Sequence, residues 1–250
     1  MQELIHRQKF TIRGYDAGTQ MEANPLSIIR ILHDAAVDQV IELGFSALQL
    51  DPRSLAWVLA QQYLEIFQYP KLGEEVEVVT FPSGVEKAFT YRDYYMYSSK
   101  GRLIAQASTS WILMNTALRK ISAFPPDIDE ILSGTSTLDH LPRPPAIHMP
   151  GKNSDQGNSR NFQASFFDVD FNNHVSNHYF FRWMLDSIPI NFLSKYRLRS
   201  LNVKFRGEAY AGELIAADAM KINEASWEHL LLRAGKTIAH GISEWIQKTV

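Results

Sequence analysis

The sequence contains no cysteine in its 250 residues. That excludes a disulfide framework, thiolate metal ligation and a cysteine nucleophile. No apolar run approaches the roughly 18 residues of a spanning helix, so no membrane span is expected. The opening MQELIHRQKF is mixed and polar, without the charged-then-apolar layout of a secretory signal. Positive charge is not in surplus either. Lys plus Arg is 25 against 27 Asp plus Glu, a formal charge of −2 with pI about 6.4. General nucleic-acid binders show a basic surplus, so no nucleic-acid partner is expected. No glycine-rich phosphate loop precedes a helix, and His140 and His148 have no metal-ligand spacing. Neither a cofactor nor a metal is expected. What is present, 45% hydrophobic and 21% charged residues, is ordinary for a globular chain. A cytoplasmic protein of one or two domains is the expectation.

The first clear element is a helix over 25–43. Asn24 can cap it, and Pro25 stands at the first helical position, where proline is tolerated. Eleven apolar residues from Leu26 to Leu43, Val37 and Ile41 among them, spread over more than one stripe. Burial on several sides is expected, with Gly44 as the stop. Strands are predicted over 55–67, 74–81 (ending at Pro82-Ser83-Gly84), 88–97 and 103–114, the last two joined by the turn SSKGR. From 125 to 158 six prolines and GKNSDQGN break the pattern, so a linker is expected. It divides the chain into domains at 1–124 and 159–250.

The second part repeats the element order of the first. A short strand over 161–167 precedes a helix over 175–187, then strands over 199–205, 213–221, 227–233 and 237–245. At an offset of 152 positions Tyr15-Asp16 falls on Phe167-Asp168, and at 139 Gly73-Glu74 falls on Gly212-Glu213. Shared order and matching register point to a tandem duplication. A buried helix wrapped by a long antiparallel meander, present twice, is an α+β double hotdog; two unrelated α+β domains are the alternative.

Polar chemistry is densest at DVDFNNHVSNHY, Asp168 to Tyr179, between apolar flanks. Helix capping explains one or two of these residues. It does not require both aspartates and His174. The functional reading is a site at a helix start, where backbone N–H groups favour developing negative charge. Asn172 can donate to a carbonyl oxygen, His174 can orient or deprotonate a water, and Asp170 can fix the histidine tautomer. These parts suit hydrolysis of an activated acyl group.

The stretch Asp168-Val169-Asp170-Phe171-Asn172-Asn173-His174-Val175-Ser176-Asn177 resembles the D-x-D-x-N-x-H-V-x-N signature of acyl-acyl-carrier-protein thioesterases, here of a bacterial member. Trp183 to Pro189 resembles that family's W-x-(L/M)-(E/D)-S-(I/V)-P stretch, and Phe205-Arg206-Gly207-Glu208-Ala209 its Y-R-x-E-C segment. The resemblance implies hydrolysis of a fatty acyl thioester on acyl carrier protein, ending chain elongation. It also implies catalytic roles for Asp170, Asn172, His174 and Glu208. Ala209 departs from the cysteine of plant members; with no thiol anywhere, water must attack directly unless a carboxylate forms a transient anhydride.

The equivalent first-half positions, Gly18, Gln20 and Glu22, lack this set. The first half is therefore expected to hold the acyl chain in an apolar slot with Leu26, Ile29, Leu32, Trp57, Leu59, Phe89 and Trp111. Lys195, Arg197, Arg199, Lys204 and Arg206 form a local basic run. It suits docking of an acidic carrier. The alternatives are an acyl-coenzyme A thioesterase and a non-catalytic acyl-binding protein. A tandem hotdog can work as a monomer or a homodimer.

Overall fold

The computed structural model describes residues 4–132, 134, 138–148 and 157–248. The chain divides into two compact units, Met1–Pro144 and Pro145–Val250.

In the first unit the strands are β1 (His6–Thr11), β2 (Leu55–Ile66), β3 (Glu75–Glu86), β4 (Phe89–Ser98) and β5 (Leu103–Asn115), with the short β6 (Lys120–Ile121) on β5. All pair antiparallel, in the order β1-β3-β4-β5-β2. Helix α1 (Pro25–Glu42) packs on this sheet. Asn24 caps it, its side-chain oxygen accepting the Ser27 N–H at 2.9 Å. Ile28, Ile29, Ile31, Leu32, Ala35 and Ala36 are buried, but Val37 and Ile41 face solvent. The helix is thus buried on one broad face, because positions 37 and 41 fall together on the far side of a 3.6-residue turn. Strand β3 runs through Pro82 rather than stopping there. Pro82 pairs with Arg92, and a register shift between Pro82 and Gly84 forms a bulge at Ser83 directly after it.

A satellite cluster of Phe45, Leu50, Leu55, Leu113, Ile128 and Leu132 gathers α2 (Ala47–Leu50) and α3 (Pro126–Leu132). The expected linker is therefore not structureless at its start: α3 buries Ile128 and Leu132 in this cluster. Residues 138–144 are fastened to the sheet as a strap. The Leu141 N–H donates to buried Asp93 at 2.9 Å, and Tyr95 donates to the Asp139 carbonyl at 2.8 Å. The Arg143 guanidinium bonds Glu86 at 3.0 Å and lies over the Tyr91 ring.

The second unit has β7 (Gly157–Gln163), α4 (Asn177–Asp186), α5 (Ile190–Leu193), β8 (Tyr196–Phe205), β9 (Leu214–Asn223), β10 (Ser226–Arg233) and β11 (Lys236–Gln247). Its antiparallel order, β7-β9-β10-β11-β8, is that of the first unit, strand for strand. Each unit is a hotdog, and the chain is a double hotdog. Helix α4 sits close on the sheet because Gly241 has no side chain. A Cβ there would meet Val203 at 3.0 Å, the Asn202 carbonyl at 3.1 Å and the Met184 sulfur at 3.3 Å. The short strand ends at Gln163, earlier than expected. Phe166 and Phe167 stand exposed in a 3₁₀ turn that a Ser165–Asp168 capping box closes.

The duplication is visible in individual main-chain bonds. Ala17 bridges Ala23, and Val169 bridges Val175. Gly18 N–H donates to Glu22 O at 2.8 Å, as Asp170 does to His174 O at 2.8 Å. Ala23 N–H reaches Pro70 O at 2.8 Å, and Val175 N–H reaches Ala209 O at the same distance. Met21 and Asn173 share the left-handed conformation, with φ of 55° and 59°.

Candidate active site

The loop before α4 is a tight hairpin closed at its base. The Val169–Val175 bridge and the Ser176 N–H donated to Asp168 O at 2.9 Å set its width. Asn173 turns its tip, which asparagine tolerates better than most residues. Ser176, rather than an aspartate or asparagine of the cluster, caps α4, its hydroxyl accepting the His178 N–H. The second wall is the extended segment after β8. Arg206 and Gly207 N–H groups both donate to Ile238 O, at 2.8 and 3.0 Å. Gly207 lies flat on Ile238, whose side chain a Cβ would meet at 3.1 Å. The Val175–Ala209 bond ties the two walls together. Ala209 is fully buried at this junction.

This arrangement brings His174 and Glu208 together, Nε2 to Oε2 at 3.5 Å, with both side chains partly open to solvent. Asn172 lies exposed on the same hairpin as His174. Asp170 does not reach the imidazole. Its Oδ1 accepts the Asn172 N–H at 2.8 Å, so it shapes the loop that presents the other two. Sequence reasoning missed Tyr210. Its hydroxyl donates to Glu208 Oε2 at 2.9 Å, and its ring meets His174 edge-on at 5.0 Å. The available signal was spacing: in extended chain, residues two apart point to the same side.

The remaining predicted residues are scattered. Trp57 packs between Phe45 and Phe124 in the satellite cluster, its indole N–H donating to Phe45 O at 3.0 Å. Ile29, Leu32 and Leu59 are core, whereas Phe89 is exposed. The interior under α1 is also less apolar than expected. Arg92 is buried there, donating to Gln39 at 2.6 Å and Thr80 at 3.1 Å, and burial lowers its pKa. The basic run is not one solvated face. Arg206 and Lys195 are exposed, whereas Arg197, Arg199 and Lys204 are half-buried along β8. A bulge lies beside Arg199, where the register with β11 shifts.

A second polar cluster, also missed, is buried but for Glu228, which is partly open to solvent. His229 bonds Ser243 at 2.7 Å, and the Trp245 N–H donates to the same hydroxyl at 2.8 Å. His240 bonds Glu228 at 2.9 Å. Burial pushes the His229 pKa down to about 3, with the Met184 backbone opposing the shift and His240 adding to it. Among the described residues no three His, Asp or Glu side chains are placed to hold a metal ion, and no helix is long and apolar enough to cross a membrane.

Residues 3–132 match the family model described as Acyl-ACP thioesterase N-terminal domain, and residues 151–247 match Acyl-ACP thioesterase C-terminal domain. The chain is 24% identical over 275 residues to a chloroplastic palmitoyl-acyl carrier protein thioesterase of Arabidopsis thaliana, covering 98% of this chain and 65% of that protein. It is 28% identical over 265 residues to the corresponding protein of Cuphea hookeriana, covering 98% and 63%. It thus spans a little under two thirds of the length of these curated relatives. A 12:0-ACP thioesterase from Umbellularia californica superposes with TM-score 0.85 at 20% identity, covering 99% of each chain. An acyl-ACP thioesterase from Bacteroides thetaiotaomicron superposes with TM-score 0.82 at 20% identity, covering 97% of this chain and 98% of that one. At these identities the superpositions establish the fold.

Proposed function

The chain belongs to the acyl-ACP thioesterase family, and from that premise we propose that it hydrolyses the thioester of fatty acyl-acyl-carrier protein to free fatty acid and carrier thiol. The observation that carries this reading is the approach of His174 Nε2 to Glu208 Oε2 at 3.5 Å on a hairpin that also presents Asn172. Glu208 takes a proton from water as the water oxygen attacks the thioester carbonyl carbon. His174 orients that water. Asn172 and the first-turn N–H groups of α4 donate to the carbonyl oxygen as it gains negative charge. When the intermediate collapses, the carbon–sulfur bond breaks and the sulfur leaves with the proton that Glu208 took. Asp170 acts one step back, through the loop. No thiol in the chain offers a covalent route.

The catalytic unit is read as the part from residue 159 onward, with the acyl chain held by the part up to residue 124 and residues 125–158 as the linker. The repeat of the hairpin without its chemistry supports this division. Exposed Arg206 supports docking of the acidic carrier, with Arg197 and Arg199 behind it and Trp57 on the substrate side. The finer reading is a bacterial, cytoplasmic enzyme acting as a monomer or homodimer. Two hotdogs within one chain support that assembly, which light scattering on the purified protein checks.

The test is thiol release from C8–C18 acyl-carrier-protein and acyl-coenzyme A substrates. Carrier-bound substrate is expected to be preferred. Asn172→Ala and His174→Ala are expected to lower turnover by about 10²–10³ each, the range for lost oxyanion donors and acid–base groups. Tight acyl binding without release overturns the enzyme; equal use of both carriers removes the preference.

A further inference from the structure

Glu208 leaves an extended segment, not a helix or strand, so its carboxylate needs holding from outside that backbone. Its Oε2 meets the His174 imidazole at 3.5 Å and the Tyr210 hydroxyl at 2.9 Å. Tyr210 is itself braced. Its N–H donates to Glu213 Oε2 at 2.8 Å, and the Glu213 N–H returns to the Tyr210 carbonyl at 3.2 Å. Arg233 lies 3.6 Å from that same Glu213 oxygen, and its guanidinium carbon is 5.5 Å from the centre of the Tyr210 ring.

The first unit is an internal control for this turn. There the Lys71 N–H donates to Glu74 Oε2 at 3.0 Å, and the Glu74 N–H returns to Lys71 O at 2.9 Å. Gly73 and Gly212 both take positive φ, 83° and 85°. The turn therefore forms with lysine as well as with tyrosine. Where the second unit has His174, Glu208 and Tyr210, the first has Glu22, Tyr69 and Lys71. All three side chains that converge differ between the units, while the main-chain bonds of the turn are shared. Tyrosine at 210 answers to the site and not to the turn.

We propose that Tyr210 is a positioning residue for the hydrolysis. It holds one carboxylate oxygen of Glu208 by a charge-assisted hydrogen bond and walls one side of the His174 ring. The carboxylate is then fixed at the orientation needed to take a proton from water. This inference rests on the thioesterase reading of Glu208.

The test compares wild type, Glu208→Gln, Tyr210→Phe and Tyr210→Lys as full-length proteins, on the best acyl-carrier-protein substrate of the panel. Tyr210→Phe removes only the hydroxyl. It is expected to lower kcat about tenfold, the scale of one hydrogen bond to a charged group, with KM within twofold and the thermal midpoint unchanged. Tyr210→Lys, which the equivalent turn tolerates, is expected to fold and to lose at least as much. Glu208→Gln is expected to be inactive. Tyr210→Phe turning over within twofold of wild type, or losing activity through KM alone, overturns the proposal while Glu208→Gln stays dead. Full turnover by Glu208→Gln, or none by wild type, overturns the reading of the site, and Tyr210 falls with it.

Discussion

His229 is fully buried, and burial drives its pKa from 6.5 down to about 3. In the unfolded chain the same imidazole titrates near 6.5. Above that pH neither state binds the proton, and the contribution to stability is whole. As pH falls from 6.5 toward 3 the unfolded state takes up a proton that the folded state refuses. Stability therefore drains by about 1.4 kcal/mol per pH unit across that window. Denaturant titrations from pH 7 to pH 4 should show this slope in the wild type and lose it in His229→Gln; an unchanged slope assigns the acid sensitivity elsewhere. Reading single residues from sequence works unevenly for a physical reason. His174 and Asn172 share a nine-residue hairpin and are legible as neighbours. Glu208 is a candidate through the family resemblance, since it arrives from an extended segment thirty-four positions away. Spacing puts Tyr210 on the same side of the extended chain as Glu208, but the hydrogen bonds that Asp170 and Tyr210 make depend on rotamers that spacing does not supply.

At the level of elements, close contact between helix and sheet decides more than helix propensity does. Helix α4 rests on Gly241, and its N-terminal turn belongs to the candidate site. Gly241→Val forces the helix outward or the strand downward. A cost of about 2–3 kcal/mol, in the range of overpacked cores, is expected, with kcat falling because the hairpin moves with the helix. Urea denaturation and turnover on the same preparation check both, and an unchanged midpoint shows that the helix yields without strain. Most elements could be placed from periodicity and turn residues, since alternation and capping are local. Misplacements occurred where a tertiary device overrode the local signal. Pro82 continued a strand through a bulge, Phe166 and Phe167 left a strand for a capped turn, and α3 formed inside a proline-rich stretch because Ile128 and Leu132 found a cluster to enter.

For the molecule as a whole, the repeat means one fold present twice, with the candidate site in one copy of it. Glu22 and Tyr69 stand where His174 and Glu208 stand in the other unit. Glu22→Ala and Tyr69→Phe are expected to leave kcat within about twofold; a loss beyond tenfold in either gives the first hairpin a part in the chemistry. The duplication was legible only as element order and a few coincident residues, because it persists in N–H to carbonyl bonds that nearly any side chain permits. The same permissiveness has a use. A protein engineer usually has to build a loop before furnishing it, and loop building is the step that fails. Here the first hairpin is already a finished chassis, turned at Met21 and closed at Ala17 and Ala23. Installing the candidate side-chain set a second time in this chain is a matter of exchanging residues at Gly18, Gln20, Glu22, Tyr69 and Lys71, with none inserted or removed.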